Sequence, residues 1–521
     1  MHALTVLYGG ALHPLAFKPL YGGQSAFSLA LERAGSFPGT EKILVLAEDA
    51  LDLPEIPGQL LTRQKWTVPD LLRVLSEESS AYDFAYYAWA DTPFLDPSLA
   101  ERIALRHTRF AADYSYADGW PYGLAPELIT SSAAGVLCKI SGEADAGPVK
   151  RDALFGVLQR DINSFDIETE ISPVDLRYHR ISLSADSRRN FLLLQRFAEA
   201  RCGGAADAQR IIAEHPEFLR TLPAFFPIQI SRPCPPGGGR TGSCGICPYP
   251  RLSARNGAAA RDFLDPDEFK KLLDKIEEFA GDAVIDLSPW GEPALHPRRD
   301  ELIRAVLARS AFSLVIESSG AGWDRGTLEA LARDAPVKPG SGESRFFSWI
   351  VSLNPGDLPR DKSEKTSFVE ALVSLFPRKP GEEDRVYVEA VRTAGAEDQI
   401  EQFYRAWKSW GAEKNGPGII IQKYDDFCGF LPRRQGVDLS PVERRPCWHI
   451  MRDFPVLIDG AVPVCREDLE GKLGTLGNAL KDDLETIWEK GKERYHLHCK
   501  KDYGEPGSPC RVCDEYYTFN F

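Results

Sequence analysis

Short apolar runs and amphipathic stretches alternate along most of the chain. In residues 1 to 195, an apolar run from Ala3 to Tyr8 meets Gly9-Gly10, and a helical stretch follows Ser25. KILVLAED, DFAYYAWAD and ADYSYAD then read as strands, and VPDLLRVLSEES and SLAERIALRH as helices. This order predicts a mostly parallel sheet with helices on both faces. Residues 189–222 are polar and helical and read as a connector. From 227 to 425 the alternation restarts more regularly, with strands expected at PIQIS, AVIDLS, SLVIES, FFSWIVSL, RVYVEAVR and GIIIQKY. The clearest helix is 267–279, with Asp265 as N-cap, Pro266 at the first helical position, and Phe269, Leu272, Leu273, Ile276 and Phe279 on one face. Six βα units predict a partial barrel whose active site lies at the C-terminal strand ends. The residues just past those strand ends are polar or special: Cys234, WGEP, SSG, Asn354, Thr393 and Tyr424-Asp425. After 440 the chain is short and cysteine-punctuated, too small for a core of its own without a staple. The predicted class is α/β: an N-terminal mostly parallel α/β sandwich (1–195), a helical connector (196–225), a central partial (βα)6 barrel (226–440) and a small Cys-rich C-terminal domain (441–521).

Composition narrows the function classes. Hydrophobic residues at 43% and charged residues at 26% exclude a disordered tail or a membrane bundle. No apolar stretch is long enough for a spanning helix, and the apolar start lacks a basic n-region and a cleavage site, so no membrane association and a cytoplasmic location are expected. A net charge of −14, with no basic stripe, argues against nucleic acid as partner.

Eleven cysteines in such a chain point to metal rather than to disulfides. Cys234, Cys244 and Cys247 fall together as C-x9-C-x2-C directly after the first barrel strand; Cys428, Cys447, Cys465, Cys499, Cys510 and Cys513 crowd the C-terminal part. Three thiolates at an iron–sulfur cube leave one iron open for a substrate or cofactor. A zinc site is the competing reading; it needs a fourth ligand, and His215 and His296 are the nearby histidines.

In order, the cysteine loop, Gly291-Glu292-Pro293, Ser318-Ser319-Gly320 and the repeating βα pattern resemble the radical S-adenosylmethionine (SAM) superfamily over roughly 227–425. The resemblance implies that Cys234, Cys244 and Cys247 hold a 4Fe-4S cluster whose open iron chelates SAM. It implies that Gly291-Glu292 meets the methionyl amino group, and that Ser318 and Asn354 are candidates for the ribose or carboxylate. The chain departs from the family in the wider cysteine spacing, where Gly237-Gly238-Gly239 loops out, and in Trp290 standing where the family has a glycine.

Cys447 and Cys465 flank Gly460 as C-x12-G-x4-C, and Cys510-x2-Cys513 closes the chain. With LGN and LETIW, this resembles the SPASM or shorter twitch extension behind radical SAM barrels. It implies one auxiliary 4Fe-4S cluster on Cys447, Cys465, Cys510 and Cys513, with Cys499 a spare that could replace one of them. Cys428 reads as a buried thiol. A structural zinc in the same four thiolates is the alternative.

In the N-terminal region, Gly9-Gly10 with Lys18-Pro19, Asp91 at the end of a strand and Asp175 in SPVDLR are similar to nucleotidyltransferases of the glycosyltransferase-A type. By that likeness Lys18, Asp91 and Asp175 are candidates for a nucleotide and Mg²⁺ site, though Lys18 is the sole cation of its loop, and an inactive or repurposed scaffold is an equal reading. Asp96 and His107 read as capping or surface residues. The whole order resembles the spiro-SPASM group. It implies an enzyme that reductively cleaves SAM to a 5′-deoxyadenosyl radical for hydrogen abstraction. A flavodoxin or ferredoxin would donate the electron, and the substrate would be a peptide or small protein, with a nucleotide-linked sugar second. The rival from another class is a zinc-stapled nucleotidyltransferase or nucleotide-binding scaffold.

Overall fold

A computed structural model describes all residues except 50, 52, 55, 57, 143–144, 235–245, 250, 253–260, 335–344, 379–384, 437–439, 442 and 519–521. They form two compact units, Met1–Thr221 and a second beginning at Leu222. Among the described residues no helix is long and apolar enough to cross a membrane.

The strands of the first unit are β1 (Ala3–Gly10), β2 (Pro19–Tyr21), β3 (Gln24–Ser25), β4 (Thr40–Glu48), β5 (Gln59–Arg63), β6 (Phe84–Trp89), β7 (Tyr114–Asp118), β8 (Glu127–Ile129) and β9 (Ile167–Ile171). Apart from the β2–β3 hairpin they make one sheet, ordered β5-β4-β1-β6-β8-β7-β9. Only β8 runs against its neighbours, so the sheet is mostly parallel, as expected. β1 is buried at every position, the mark of a strand covered on both faces. Its Leu4, Val6 and Tyr8 pack with Leu71 and Leu75 of the helix Val68–Glu78 and with Leu137 of the helix Ser131–Ile140.

Side-chain caps start the helices where the sequence places them. Ser25 accepts from the amide of Ser28, and Asp96 from those of Ser98 and Leu99, each satisfying donors with no partner inside the helix. His107 departs from expectation. It is buried, and its Nδ1 lies 2.8 Å from Ser115 Oγ, because the last turn of the helix Pro97–Phe110 points it at the sheet. The polar-looking 189–222 stretch also buries an apolar stripe: Phe191, Leu194 and Phe197 of the helix Arg188–Glu199, and Ile211 and Ile212 of Ala205–Glu214.

The second unit contains β10 (Phe225–Pro227), β11 (Ala283–Asp286), β12 (Phe312–Ser318), β13 (Phe347–Leu353), β14 (Val386–Arg392), β15 (Gly418–Lys423), β16 (Ala461–Pro463) and β17 (Thr475–Asn478). β10 to β15 form one all-parallel sheet in chain order, the expected (βα)6 pattern; β16 and β17 are an antiparallel hairpin. The helix Pro266–Ala280 starts as predicted, Asp265 accepting from the amides of Asp267 and Glu268. It buries Phe269, Leu272, Leu273 and Ile276 against Ile285, Leu314 and Ile316.

The first strand differs from expectation. Ladder pairing with β11 ends at Pro227, with Ile228 N still donating to Asp286 O at 2.7 Å. Along its other edge the strand pairs with the C-terminal segment: Phe225 bridges Asp453, Ile228 bridges Val456, and Gln229 N donates to Val456 O at 2.9 Å. Phe454, Val456, Ile458, Ile487 and Trp488 thereby join the sheet's own core. The C-terminal segment thus shares a core with the barrel sheet in addition to any metal staple.

Candidate active site

The loops after β10, β11 and β12 meet at the C-terminal end of the second sheet. Glu292 N donates to Pro233 O at 3.0 Å, which ties the start of the cysteine loop to the Gly-Glu-Pro turn. A Cβ on Gly291 would sit 1.9 Å from Ser231 O and 2.7 Å from its carbonyl carbon, so the close approach of the two backbones requires glycine. Beside it Trp290 adopts φ +54°, a left-handed conformation that costs a side-chain-bearing residue about 1–2 kcal/mol. The bond from Gln229 Nε2 to Trp290 O, at 2.9 Å, helps hold it there.

Glu292 is 5% exposed. Its Oε1 accepts from Ser318 Oγ at 2.6 Å, and its Oε2 from Ser319 Oγ at 2.7 Å and Ser319 N at 3.0 Å. Burial pushes this carboxyl above its ordinary value, and the bonds from Ser318 and Ser319 pull it part of the way back. All these donors are neutral, so the charge is oriented without being cancelled. Ser318 Oγ also accepts from Gly320 N and Trp323 Nε1; its hydroxyl is committed to shaping the turn. Pro293 opens the one-turn helix Pro293–Leu295 and is buried. Asn354, after β13, donates through N and Nδ2 to Asp357 Oδ2 at 2.8 and 3.1 Å.

The sequence reading missed carboxylates on the sheet face turned away from the helices. Asp286, Glu317 and Glu389 alternate with the core residues Ile285, Ile316 and Val388. Ser352 Oγ lies 2.7 Å from Glu317 Oε1 and 3.4 Å from Glu389 Oε2. Burial, then the neighbouring Glu317, holds Glu389 well above the carboxylate range; burial raises Asp286 to about 6. An acid interrupting each of VIDLS, VIES and YVEAV was the signal that could have found them.

Of the first cysteine group, Cys234 is exposed and Cys247 half-buried; Cys244 lies outside the described residues. The C-terminal cysteines converge: Cys447, Cys465, Cys510 and Cys513 line one buried pocket. Two assignments change. Cys428, expected to be an unrelated buried thiol, lines the same pocket, because the turn after β15 carries it there. Cys499 is not among the residues lining it; it packs against the cluster of Cys447, Ile450, Tyr495 and Tyr516. Burial, then the neighbouring thiols, pushes the Cys447 and Cys465 thiols up, and the donor set suits a thiophilic centre. Cys465 and Asp468 also line a separate cavity of about 680 Å³, together with Gln229, Arg232 and Trp290.

In the first unit the three candidate residues have distinct surroundings. Asp91, 1% exposed, accepts from Arg151 Nη1 and Nη2 at 3.1 and 2.7 Å, and Arg151 also pairs with Asp186 at 2.7 Å. Arg151 lies over the Trp89 and Tyr122 rings. Asp91 thus holds a guanidinium where a metal was expected, the long Arg151 side chain reaching it from a loop distant in sequence. Asp175 accepts from Arg177, which also pairs with Asp118. Lys18 is exposed, ending the turn Pro14–Phe17.

No protein-family model matches the chain. Among solved structures it is similar to anSMEcpe with bound AdoMet, at 16% identity over 57% of this chain and 84% of that one, TM-score 0.36. It is also similar to BtrN in complex with AdoMet and 2-DOIA, at 15% identity over 54% of this chain and 88% of that one, TM-score 0.32. A cytidylyltransferase from Leptospira borgpetersenii is 13% identical over 42% of this chain and 97% of its own, TM-score 0.35. All three TM-scores lie below 0.5, so function is read from the chain's own residues. An uncharacterized protein of Treponema pallidum (strain Nichols) is 33% identical over 380 residues, covering 71% of this chain and 98% of that protein. The chain belongs to the family of that Treponema pallidum protein.

Proposed function

We propose that the chain is a radical SAM enzyme with one auxiliary iron–sulfur centre. The observation that carries this reading is the meeting of three loops at one sheet end. Glu292 N bonds Pro233 O beside the cysteine loop, and the Glu292 carboxylate is held by Ser318 and Ser319 of the next strand end. A 4Fe-4S cluster on Cys234, Cys244 and Cys247 would supply the electron that cleaves SAM. The chain's residues then have separate tasks. Glu292, charged and surrounded by neutral donors, binds the ammonium group of SAM. Ser318 acts through Glu292 by fixing its rotamer, and Gly291 lets the two backbones close around the ligand. Asn354, anchored by Asp357, stands at the next strand end for the ribose or carboxylate. Cys447, Cys465, Cys510 and Cys513 would hold the auxiliary cluster, beside the cavity that Cys465 helps to line. The substrate is a peptide or small molecule, and the electron donor a flavodoxin or ferredoxin. The first unit serves as a nucleotidyltransferase-like scaffold in which Asp91 is structural, with no Mg²⁺ at that position.

Anaerobically reconstituted protein should be brown and carry about eight irons, four for each cube. It should release 5′-deoxyadenosine from SAM under dithionite, and Cys244→Ala should abolish that release. Colourless protein with one or two zincs would sink the reading in favour of a zinc-stapled scaffold.

A further inference from the structure

The C-terminal cysteine pocket contains one residue that no motif predicts. His498, on the helix Lys492–Cys499, lines the pocket with the five thiols and is 1% exposed. Neither ring nitrogen has a hydrogen-bond partner among the described residues. The ring is positioned by packing, its edge set against Tyr503 at 5.1 Å between centroids. Arg444, the cation of the same pocket, is committed elsewhere: it donates to Cys510 O and stacks over Tyr503 at 3.9 Å.

Buried polar atoms in folded proteins are almost always hydrogen-bonded, and each exception calls for an explanation. Five thiols already exceed the four positions of a cube, so a nitrogen ligand is not needed to complete coordination. An imidazole that lines a pocket of thiols, with neither ring nitrogen hydrogen-bonded among the described residues, is instead suited to donate to a sulfur there. Such bonds stabilise the more negative, reduced state of a cluster and raise its potential.

We propose that His498 is a positioning residue of the C-terminal metal centre, its ring N–H donating to a ligand sulfur and raising that centre's reduction potential. The inference rests on the iron–sulfur reading of the pocket. The test uses the full chain carrying Cys234→Ala and Cys247→Ala, so that only the auxiliary cluster gives a signal, titrated electrochemically with EPR detection. In that background His498→Leu should lower the midpoint potential, and His498→Gln, which retains an N–H, should restore part of the shift. Equal potentials with His498 and with His498→Leu would overturn the proposal. Pulsed EPR on the background protein needs no folding of a further variant: it should show a weakly coupled nitrogen and an exchangeable proton. Their absence, or the strong nitrogen coupling of a directly bound imidazole, would also overturn it. Iron-free protein in this background would bring down the auxiliary cluster itself, a result distinct from an unchanged potential.

Discussion

Two buried carboxylates close comparable strand ends, one in each unit, and their partners differ in kind. Asp91, beyond β6, is clamped by both terminal nitrogens of Arg151, which Asp186 also grips. Glu292, beyond β11, is held by two hydroxyls and an amide. The first arrangement cancels the charge; the second keeps it and fixes its direction. An ion pair closed on itself is a structural element whose removal leaves an uncompensated buried charge. A carboxylate oriented by neutral donors is ready for a cationic group brought by a ligand. Position at a strand end was the same for both, so the partners decide which one is a site.

The largest expected effect breaks the first arrangement. Arg151→Ala should destabilise the first unit by about 3–5 kcal/mol, the usual result of orphaning a buried charge, seen as a lower denaturant midpoint. SAM cleavage under native conditions should persist. An unchanged midpoint would return Asp91 to the candidate metal ligands.

Glu292→Gln tests the other side at nearly constant shape. The amide carries no charge and keeps one oxygen to accept from Ser319, while the bond that Ser318 Oγ donates to the second carboxylate oxygen is lost. SAM affinity of the reconstituted protein should fall about tenfold to a hundredfold, or about 1.4–2.8 kcal/mol, with iron content unchanged. Affinity within a factor of two would show that the carboxylate only shapes the turn.

Much of this was legible in the chain itself. Five of the six barrel strands lie where apolar runs between polar punctuation predict them, because a parallel sheet buried under helices demands such runs. The Asp265 and Ser25 caps were readable because they are local. Partnership was not. Nothing near Asp91 in the sequence reveals Arg151, sixty residues away in a loop, and nothing beside Cys428 shows that its turn reaches the cysteines of the C-terminal segment. His107 failed for the same reason: helical phase and sheet packing, rather than residue type, decide its burial. Nothing near the first barrel strand shows that Val456, more than two hundred residues later, pairs along its other edge.

His107 also gives the first unit a predictable response to acid. Burial lowers its pKa to about 4, outweighing the opposite pull of Asp113. A folded-state value below the unfolded 6.5 means that the unfolded chain binds the proton more readily. The stability is therefore fully present above about pH 6.5 and is lost as pH falls toward 4, by about 2 kcal/mol at pH 5. Melting from pH 7 to 5 should show this slope, and His107→Gln should remove that part of it. An identical slope in the variant would assign the acid sensitivity to other groups.

The smallest effect separates backbone from side chain at the turn that presents Glu292. Trp290 holds φ +54°, where glycine is at ease and alanine is not. Its indole lines the 680 Å³ cavity, so replacement by either small residue loses the same packing. Trp290→Gly and Trp290→Ala therefore differ only in backbone preference and unfolded-state freedom. In a helix or strand alanine is the more stable of the two; here glycine should win by about 1 kcal/mol, read as a higher denaturant midpoint. The bond from Gln229 ends on the Trp290 carbonyl, which both variants keep, so Glu292 should stay in place and SAM affinity should match between them. An alanine variant as stable as the glycine one would mean that the turn relaxes out of the left-handed region. The close approach of Gly291 to Ser231 would then need another support.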